Sequence, residues 1–327
     1  MPNVLISPPE FNQTPGPHRD ALIAAGLTPY YPAAALNIYD PKSLHSVSRN
    51  VEAVLASTEP WNEYTLDGSK LRVIARLGVG FDSVDIAAAT KRNIVVTITP
   101  GVVEDSVAEI TMGLLLCLTR NLIARDRAIR EGGWNRVIGP RMAGKTFGIL
   151  GLGRIGRAVA LRAKGLQMKI LATDPCADPK QAAEQGIELV SFADLLARSD
   201  VVSAHAPAGG ANNKLFNKSA FAAMKHGAIF LNTSRGGLVD EPALIEALES
   251  KKLYGAGLDV FEQEPLPANH PLTKFENVVL SSHMGGLDEF SLNGMAQKAA
   301  WCVCELYQGR WPEGCVVNPE LKATWKW

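Results

Sequence analysis

Short apolar runs alternate with amphipathic or polar segments along the N-terminal third of the chain. Apolar residues follow helical spacing around His18–Ala25 and Ser83–Arg92, and a polar segment occupies residues 61–69. Strands that alternate with helices are typical of a parallel sheet covered by helices on both faces. The pattern therefore predicts an α/β unit, whose strands are the runs NVLIS, EAVLAS, RVIARLG and NIVVTIT.

A second alternation of the same kind occupies the rest of the chain. It follows a long helical stretch, Asp105–Arg130, and begins at Thr146 with the run TFGIL. The last helical pattern covers Glu289–Gln308. The sequence thus predicts two successive doubly wound α/β units. The later strands of the second unit are the runs MKILAT, IELV, DVVSAHA, AIFLNTS, YGAGLD and VVLSS.

Length and composition narrow the class of protein. A chain of 327 residues is too long for one ordinary core and suits two domains. Apolar residues make up 46% and charged residues 20%, which is the mix of a soluble globular protein. Basic and acidic residues number 33 each, so no net charge attracts nucleic acid or an anionic membrane. Nucleic acid and membrane partners are therefore not expected.

The sequence indicates neither a targeting segment nor a metal site. The N-terminus reads as a first strand rather than a signal peptide. The longest apolar run, Ile110–Leu118, is far shorter than the ~20 residues that a membrane span needs, and predicts a buried helix. Because the cysteines are scattered without a C-x-x-C motif, we expect no metal, no disulfide and a cytoplasmic location. They are Cys117, Cys176, Cys302, Cys304 and Cys315.

A glycine-rich loop follows the strand TFGIL and opens a helix. It carries Gly151, Gly153 and Gly156 in the pattern G-x-G-x-x-G, which permits a tight turn and a close approach of the backbone to a pyrophosphate. Asp174 ends the next strand, 174 − 156 = 18 residues after the last glycine. A carboxylate there accepts hydrogen bonds from ribose hydroxyls and repels a 2′-phosphate. The loop therefore predicts dinucleotide binding, with NAD favoured over NADP.

Polar residues follow the other strands of the second unit, and ligands bind beyond the carboxyl ends of parallel strands. Reduction of a 2-oxo acid builds negative charge on the carbonyl oxygen, so it needs a proton donor, for which imidazole is suited. A carboxylate can orient that imidazole, and an arginine can bind the substrate carboxylate with two hydrogen bonds. The chain offers these groups after its strands, at His205, Arg235, Asp259, Glu262, Glu264 and His283.

Several longer blocks carry a family resemblance. NTSRGGLVDE (232–241), GLDVFEQEPLP (257–267) and SSHMGG (281–286), together with GLGRIG, resemble the signature blocks of the D-isomer-specific 2-hydroxyacid dehydrogenases. RLGVGFDSVD (76–85) and DSVAEITMGLLLCLTR (105–120) extend the resemblance over nearly the whole chain. Within the family the chain is most similar to the short form of D-3-phosphoglycerate dehydrogenase. The resemblance implies a Rossmann-type cofactor domain and a flavodoxin-like substrate domain.

The resemblance also implies roles for single residues. The catalytic arginine falls on Arg235, the histidine on His283, and its acid on Glu264 rather than on Glu262. His205 is expected to line the cofactor side without a catalytic role, and the other histidines, His18 and His270 among them, to be solvated. On the cofactor side the resemblance places Arg154 and Ile155 at the pyrophosphate and Asp259 at the nicotinamide carboxamide, with Pro207 and Thr233 nearby.

For the first unit, the resemblance implies that the backbone of Val79 and Gly80 holds the substrate carboxylate. Arg76 is expected either to contact substrate or to form a salt bridge at the rim. The substrate domain is expected to comprise 1–101 and 287–327, and the cofactor domain 102–286, with a cleft between them. The helical stretch near 105–130 implies a homodimer.

One departure concerns the substrate. Relatives that handle a phosphorylated acid commonly place an arginine near the end of the third N-terminal strand, where this chain has Ala56 and Ser57. Glu59 nearby is expected to oppose a phosphate. D-3-phosphoglycerate therefore competes with a glyoxylate, hydroxypyruvate or sugar-acid reductase activity, and an NAD-sensing corepressor-like binding protein is the alternative from another class. The natural acid, its physiological direction and the extent of domain closure stay open.

Overall fold

The computed structural model describes residues 1–11, 14–33 and 36–327. The chain divides into two compact units, of which one comprises Met1–Val103 with Leu287–Trp327 and the other Glu104–Gly286. The first unit thus extends to Val103, two residues beyond the boundary expected at residue 101. Each unit holds one parallel sheet with helices packed on it, so the predicted α/β fold class is confirmed.

The first unit contains a five-stranded parallel sheet in the order β2-β1-β3-β4-β5. Its strands are β1 Asn3–Ile6, β2 Thr28–Tyr30, β3 Ala53–Ala56, β4 Val73–Arg76 and β5 Val95–Thr97. Its helices are α1 Pro17–Ala24, α2 Pro41–Ser48, α3 Glu63–Leu66, α4 Ile86–Lys91 and α12 Glu289–Tyr307.

The winding of this sheet reverses between β1 and β3. Val54 lies between Leu5 on one side and Ile74 on the other, which brings the carboxyl ends of the three central strands level with one another. Because these strands are buried on both faces, their residues are almost all apolar. A ligand of a doubly wound sheet is expected beyond the strand ends at such a switch point.

The second unit contains a seven-stranded parallel sheet in the order β12-β11-β10-β9-β6-β7-β8. Its strands are β6 Thr146–Leu150, β7 Lys169–Thr173, β8 Ile187–Leu189, β9 Val201–Ala204, β10 Ala228–Asn232, β11 Leu253–Leu258 and β12 Val278–Leu280. Its helices are α5 Glu104–Thr119, α6 Leu122–Arg130, α7 Arg154–Gly165, α8 Pro179–Glu184, α9 Phe192–Arg198, α10 Lys218–Ala223 and α11 Glu241–Glu249.

Strand register explains why functional residues collect at one edge of this sheet. The last residues of five neighbouring strands pair in one row: Leu280, Leu258, Asn232, Ala204 and Leu150. The residues that come next therefore share the carboxyl-end rim of the sheet. They are Ser281, Asp259, Thr233, His205 and Gly151.

The long helical stretch expected over Asp105–Arg130 is wrong in one respect. It is broken between α5 and α6, which meet at a bend of 61°. The break coincides with Asn121, whose φ of 50° is left-handed, a conformation that asparagine tolerates better than most residues. Among the described residues no single helix is long and apolar enough to cross a membrane, although this bent pair passes by length and composition when its two halves are combined.

Candidate active site

The glycine loop between β6 and α7 is shaped by close backbone approaches. Gly151 has a φ of +89°, and a Cβ there would lie 2.8 Å from the backbone nitrogen of Ala206. A Cβ on Gly156 would lie 2.1 Å from the carbonyl oxygen of Gly151, so the loop closes tightly on its own helix. Gly153 caps α7 without a side chain that could bond the first N–H groups of the helix, and a Cβ there would meet open space. The residues present therefore fit a bound pyrophosphate.

Asp174 lies directly after β7 and against this loop. Its Oδ2 accepts a hydrogen bond from the Leu152 N–H at 2.7 Å, and its Oδ1 accepts one from the Cys176 N–H at 2.8 Å. A carboxylate oxygen has two acceptor positions, so both oxygens keep capacity for ribose hydroxyls. Arg154 and Ile155 open α7 beside it, where the backbone N–H groups lack partners in the helix.

The other residues predicted on the cofactor side are held in different ways. Thr233 is buried, and its hydroxyl lies 2.9 Å from that of Thr111, which ties the end of β10 to α5. Pro207 is exposed. Nε2 of His205 lies 2.8 Å from the Ser203 hydroxyl, and burial lowers the pKa of His205 to about 3. A neutral His205 suits a structural or cofactor-lining position rather than proton transfer.

An imidazole and a carboxylate meet at the rim of the sheet. Nδ1 of His283 lies 2.6 Å from Oε2 of Glu264, while Oε1 of Glu264 accepts the Phe261 N–H at 2.9 Å. Burial by itself raises the pKa of Glu264, but the two hydrogen bonds and the positive charges of His283 and Arg235 outweigh it and lower the pKa. Glu264 is therefore an ionised partner for the imidazole, and Nε2 of His283 is the ring nitrogen that this pairing leaves for a substrate.

Asp259 fixes the turn that carries this histidine. Its carboxylate accepts the N–H groups of Met284, at 2.9 Å, and of Gly285, at 2.8 Å. Its carbonyl oxygen accepts the N–H of His283, which has a left-handed φ of 56°. Asp259 is only 1% exposed. The sequence suggested an acid at this rim but not its bonds to a turn 25 residues further along.

Arg235 follows β10 in a turn that Asn232 folds. The Asn232 side chain donates to the carbonyl oxygen of Arg235 at 2.8 Å and accepts the Ser234 N–H at 3.1 Å. A Cβ on Gly236 would lie 1.9 Å from the carbonyl oxygen of Phe261, so only glycine lets this turn pack on the segment that leads to Glu264. The motif NTSRGG contains both positions, although sequence reasoning gave a role to neither.

In the first unit, Arg76 supports the loop that carries Val79 and Gly80. The arginine is 6% exposed, and it donates to the carbonyl oxygens of Ala56, at 2.9 Å, and Gly80, at 3.1 Å. This geometry favours a role for Arg76 in supporting the loop over the substrate contact that was one of the two expectations for it. Among the described residues, the N–H groups of Val79 and Gly80 have no hydrogen-bond acceptor. Adjacent free N–H groups form a cradle for an anion such as a carboxylate.

Glu59, which was expected to oppose a phosphate, lies buried after β3. It is 0% exposed and accepts hydrogen bonds from the Ser7 hydroxyl, at 2.5 Å, and the Trp61 indole, at 3.3 Å. Burial raises the pKa of Glu59, and hydrogen bonds together with the charge of Arg76 oppose that shift. The expectation of solvated histidines is wrong for His18, which is buried against the ring of Phe11.

Comparison with known proteins supports the family that the sequence blocks resemble. The profile of the D-isomer specific 2-hydroxyacid dehydrogenase NAD-binding domain matches residues 112–285. A glyoxylate reductase of Thermofilum pendens is 41% identical over 296 residues, which cover 86% of this chain and 87% of that protein. A D-3-phosphoglycerate dehydrogenase of Archaeoglobus fulgidus is 44% identical over 216 residues, 65% of this chain and 41% of that protein. The crystal structure of a glyoxylate reductase from Paecilomyes thermophila has a TM-score of 0.86 at 28% identity, covering 98% of this chain and 99% of that one.

The chain belongs to the D-isomer specific 2-hydroxyacid dehydrogenase family. The predicted family, NAD as cofactor and an oxidoreductase activity on 2-hydroxy acids are thereby confirmed. When bound, the nicotinamide supplies or accepts the hydride.

Proposed function

We propose that this enzyme interconverts a small unphosphorylated 2-oxo acid, of the size of glyoxylate or hydroxypyruvate, and its 2-hydroxy acid. The observation that carries the proposal is the pairing of His283 with Glu264 at 2.6 Å at the same sheet rim as Arg235 and the glycine loop. These residues supply a proton donor, its orienting carboxylate and a guanidinium, which is what reduction of a carbonyl beside a carboxylate requires.

Each residue then has a distinct role. In reduction, Nε2 of His283 donates a proton to the carbonyl oxygen, while Glu264 holds the ring through Nδ1 and stabilises its positive charge. Arg235 polarises the carbonyl and binds the substrate carboxylate with a forked pair of hydrogen bonds. Val79 and Gly80 hold the carboxylate through backbone N–H groups, and Arg76 keeps their loop in place. Oxidation uses the same groups in reverse.

Three features favour an unphosphorylated substrate. At the end of β3 the chain has Ala56 and Ser57, neither of which is cationic. The buried acid nearby, Glu59, cannot attract a phosphate either. Arg76 donates to two backbone carbonyls, and its positive charge opposes the rise in the pKa of Glu59. In addition, the glyoxylate reductase of T. pendens aligns over most of its length, whereas the phosphoglycerate dehydrogenase of A. fulgidus aligns over 41% of its length.

An NADH-oxidation screen over 2-oxo acids tests this proposal. The panel should contain glyoxylate, hydroxypyruvate, phosphohydroxypyruvate and sugar-derived 2-oxo acids. We expect the highest kcat/KM with glyoxylate or hydroxypyruvate. A clear preference for phosphohydroxypyruvate would contradict the proposal and indicate a D-3-phosphoglycerate dehydrogenase activity. NADH binding without turnover of any acid would favour a corepressor-like binding protein.

We also propose that Asp174 sets the cofactor preference. Asp174→Ala should lower the ratio of NAD to NADP efficiency about tenfold, the effect of losing a hydrogen bond to a charged group and a repulsive charge. Glu184→Ala in α8 removes an exposed acid of the same unit and serves as the matched control. Both variants are compared by kcat/KM with each cofactor and by fluorescence titration of NADH and NADPH. An unchanged ratio in Asp174→Ala would contradict the assignment.

We further propose a homodimer formed through α6 and the segment after it. Exposed apolar side chains concentrate there, and a patch of this kind marks an interaction surface. Sedimentation velocity at micromolar concentration should give a dimer, and Ile138→Asp should shift it toward the monomer. A monomeric wild-type protein would refute this. The exposed side chains are Leu122, Ile123, Ile129, Trp134, Val137 and Ile138.

The five cysteines are all unpaired, which suits a reducing compartment, and on that basis we propose a cytoplasmic location. Cell fractionation with antibody detection would test it, and recovery of the protein outside the cytoplasm would refute it.

A further inference from the structure

The segment from Phe261 to His270 carries Glu264, and one side chain outside the segment bonds both of its ends. Oε1 of Glu241, at the start of α11, accepts the Glu262 N–H at 2.8 Å. Oε2 of the same carboxylate lies 3.2 Å from Nε2 of His270. Glu241 is buried although it is charged, so its two oxygens depend on these partners for hydrogen bonds lost from water.

The hydrogen bonds of His270 define its tautomer. Its Nδ1 accepts the Leu272 N–H at 3.4 Å, as the cap of a short 3-10 turn. Nε2 therefore carries the proton and donates it to Glu241. The His270 side chain is 20% exposed, so the expectation of a solvated histidine is wrong here too.

The charged groups around the carboxylate reinforce the first of these bonds. Oε1 of Glu262 lies 3.5 Å from the Glu241 N–H, so the two residues bond each other reciprocally. Lys214 lies 3.0 Å from Glu262 and 3.9 Å from Asp240. The amine thus balances the acidic side chains next to Glu241.

Between these two ends, Leu266 packs against the core and the Pro267 carbonyl oxygen accepts the His270 N–H at 2.9 Å, but most of the segment faces solvent. Residues 262–265 and 268–269 are exposed. In the part of the chain that the structure describes, the hydrogen bonds of the Glu264 side chain are those with the Phe261 N–H and with His283, the group that it has to orient. A segment with few buried contacts opens at low free energy unless its ends are held. The position of Glu264 therefore depends on how its two ends are held.

We propose that Glu241 is a positioning residue for the proposed reaction: its carboxylate ties both ends of the 261–270 segment and so holds Glu264 in place against His283. The kinetic consequence of this inference rests on the proposed function. Whether the Glu241 carboxylate holds the two ends of the segment can be measured by hydrogen exchange without turnover. Glu241 and His270 touch neither the imidazole nor the guanidinium of the site and act through Glu264.

Glu241→Ala removes both bonds. We expect kcat for the preferred 2-oxo acid to fall about 10- to 100-fold, the size of effect that a displacement of about 1 Å has on a catalytic group. KM and the Kd for NADH should stay within about twofold, because neither is set by Glu264. Backbone amides of 262–270 should exchange with deuterium faster, with no change in the core strands β6 and β9.

His270→Asn serves as the second variant in case Glu241→Ala folds poorly. Asparagine is a good helix cap, so it keeps the bond to the Leu272 N–H but is too short to reach Glu241. It should produce a smaller fall in kcat, and the double variant should be no worse than Glu241→Ala, because both remove the same bond. Glu246→Ala on the same helix breaks only the exposed pair with Lys218 and should behave as wild type.

If the backbone amides of 262–270 exchange in Glu241→Ala at the wild-type rate, Glu241 does not hold the segment. Faster exchange with unchanged kcat would overturn the positioning role. If the wild-type protein reduces no 2-oxo acid, the proposed function fails, and the exchange comparison still decides whether Glu241 holds the segment.

Discussion

His283→Asn is expected to lower kcat for 2-oxo acid reduction about 10²- to 10⁴-fold at neutral pH, the range that general acid catalysis supplies. Asparagine keeps a polar side chain on the turn and tolerates the left-handed φ of 56° at this position. It has no proton to deliver near neutral pH. The loss should therefore appear in turnover, while NADH binding, measured by fluorescence, changes little.

The pH dependence of the rate separates a proton donor from a structural histidine. The lowered pKa of Glu264 keeps the carboxylate ionised as pH falls toward the ordinary carboxyl range, so the dyad persists there. Because the folded-state pKa of Glu264 is lowered, its contribution to the free energy of unfolding is present above the unfolded pKa and is lost as pH falls through the folded pKa. In Glu264→Gln, the ring loses its carboxylate partner, so kcat should fall and the acid limb that follows protonation of Glu264 should disappear from the rate profile.

Two results would exclude His283 as the donor. One is an unchanged pH–rate profile in His283→Asn, and the other is a solvent isotope effect on kcat that survives the substitution undiminished. Ser281→Ala, two residues earlier on the same rim, serves as a control for disturbance of the turn.

The sequence predicted those parts of the site that depend on short motifs and on the ends of strands. Gly151, Gly153 and Gly156 are identifiable because only glycine allows the backbone approaches they make. Glu264 and His283 were both placed at the strand ends of the second unit, and the choice of Glu264 over Glu262 came from the family resemblance; in the structure they follow β11 and β12, which are neighbours in the sheet. These features are local, or follow from the general rule that ligands bind beyond the carboxyl ends of parallel strands.

What the sequence did not predict depends on contacts between distant segments. The bonds from Asp259 to the turn at Met284 require the exact path of that turn, which no motif specifies. Likewise, Glu241 and His270 are 29 residues apart (270 − 241), and nothing in their spacing indicates a shared bond. Burial of Glu59 also depends on Ser7, which lies on another strand end. Such networks arise only once the packing is known.

Arg235→Ala is expected to lower kcat about 10²- to 10³-fold, the effect of removing one preorganised donor from a developing oxyanion. The turn that carries the guanidinium is held by the bond from Asn232 to the Arg235 carbonyl oxygen and by the close packing of Gly236. KM should rise as well, because the substrate carboxylate loses a forked pair of hydrogen bonds. The glycine loop is untouched, so the Kd for NADH should stay near the wild-type value.

Arg235→Lys distinguishes charge from geometry. Lysine keeps the positive charge that helps to lower the pKa of Glu264, but it lacks the planar fork of donors. If the fork matters, Arg235→Lys should recover only a small part of kcat, whereas recovery close to wild type would reduce the role to charge alone. Arg154→Ala, an exposed position on α7, should instead weaken NADH binding and leave kcat at saturating NADH nearly intact. Turnover that survives in Arg235→Ala would show that the guanidinium takes no part in the reaction, because the turn after β10 (residues 233–240) contains no second arginine.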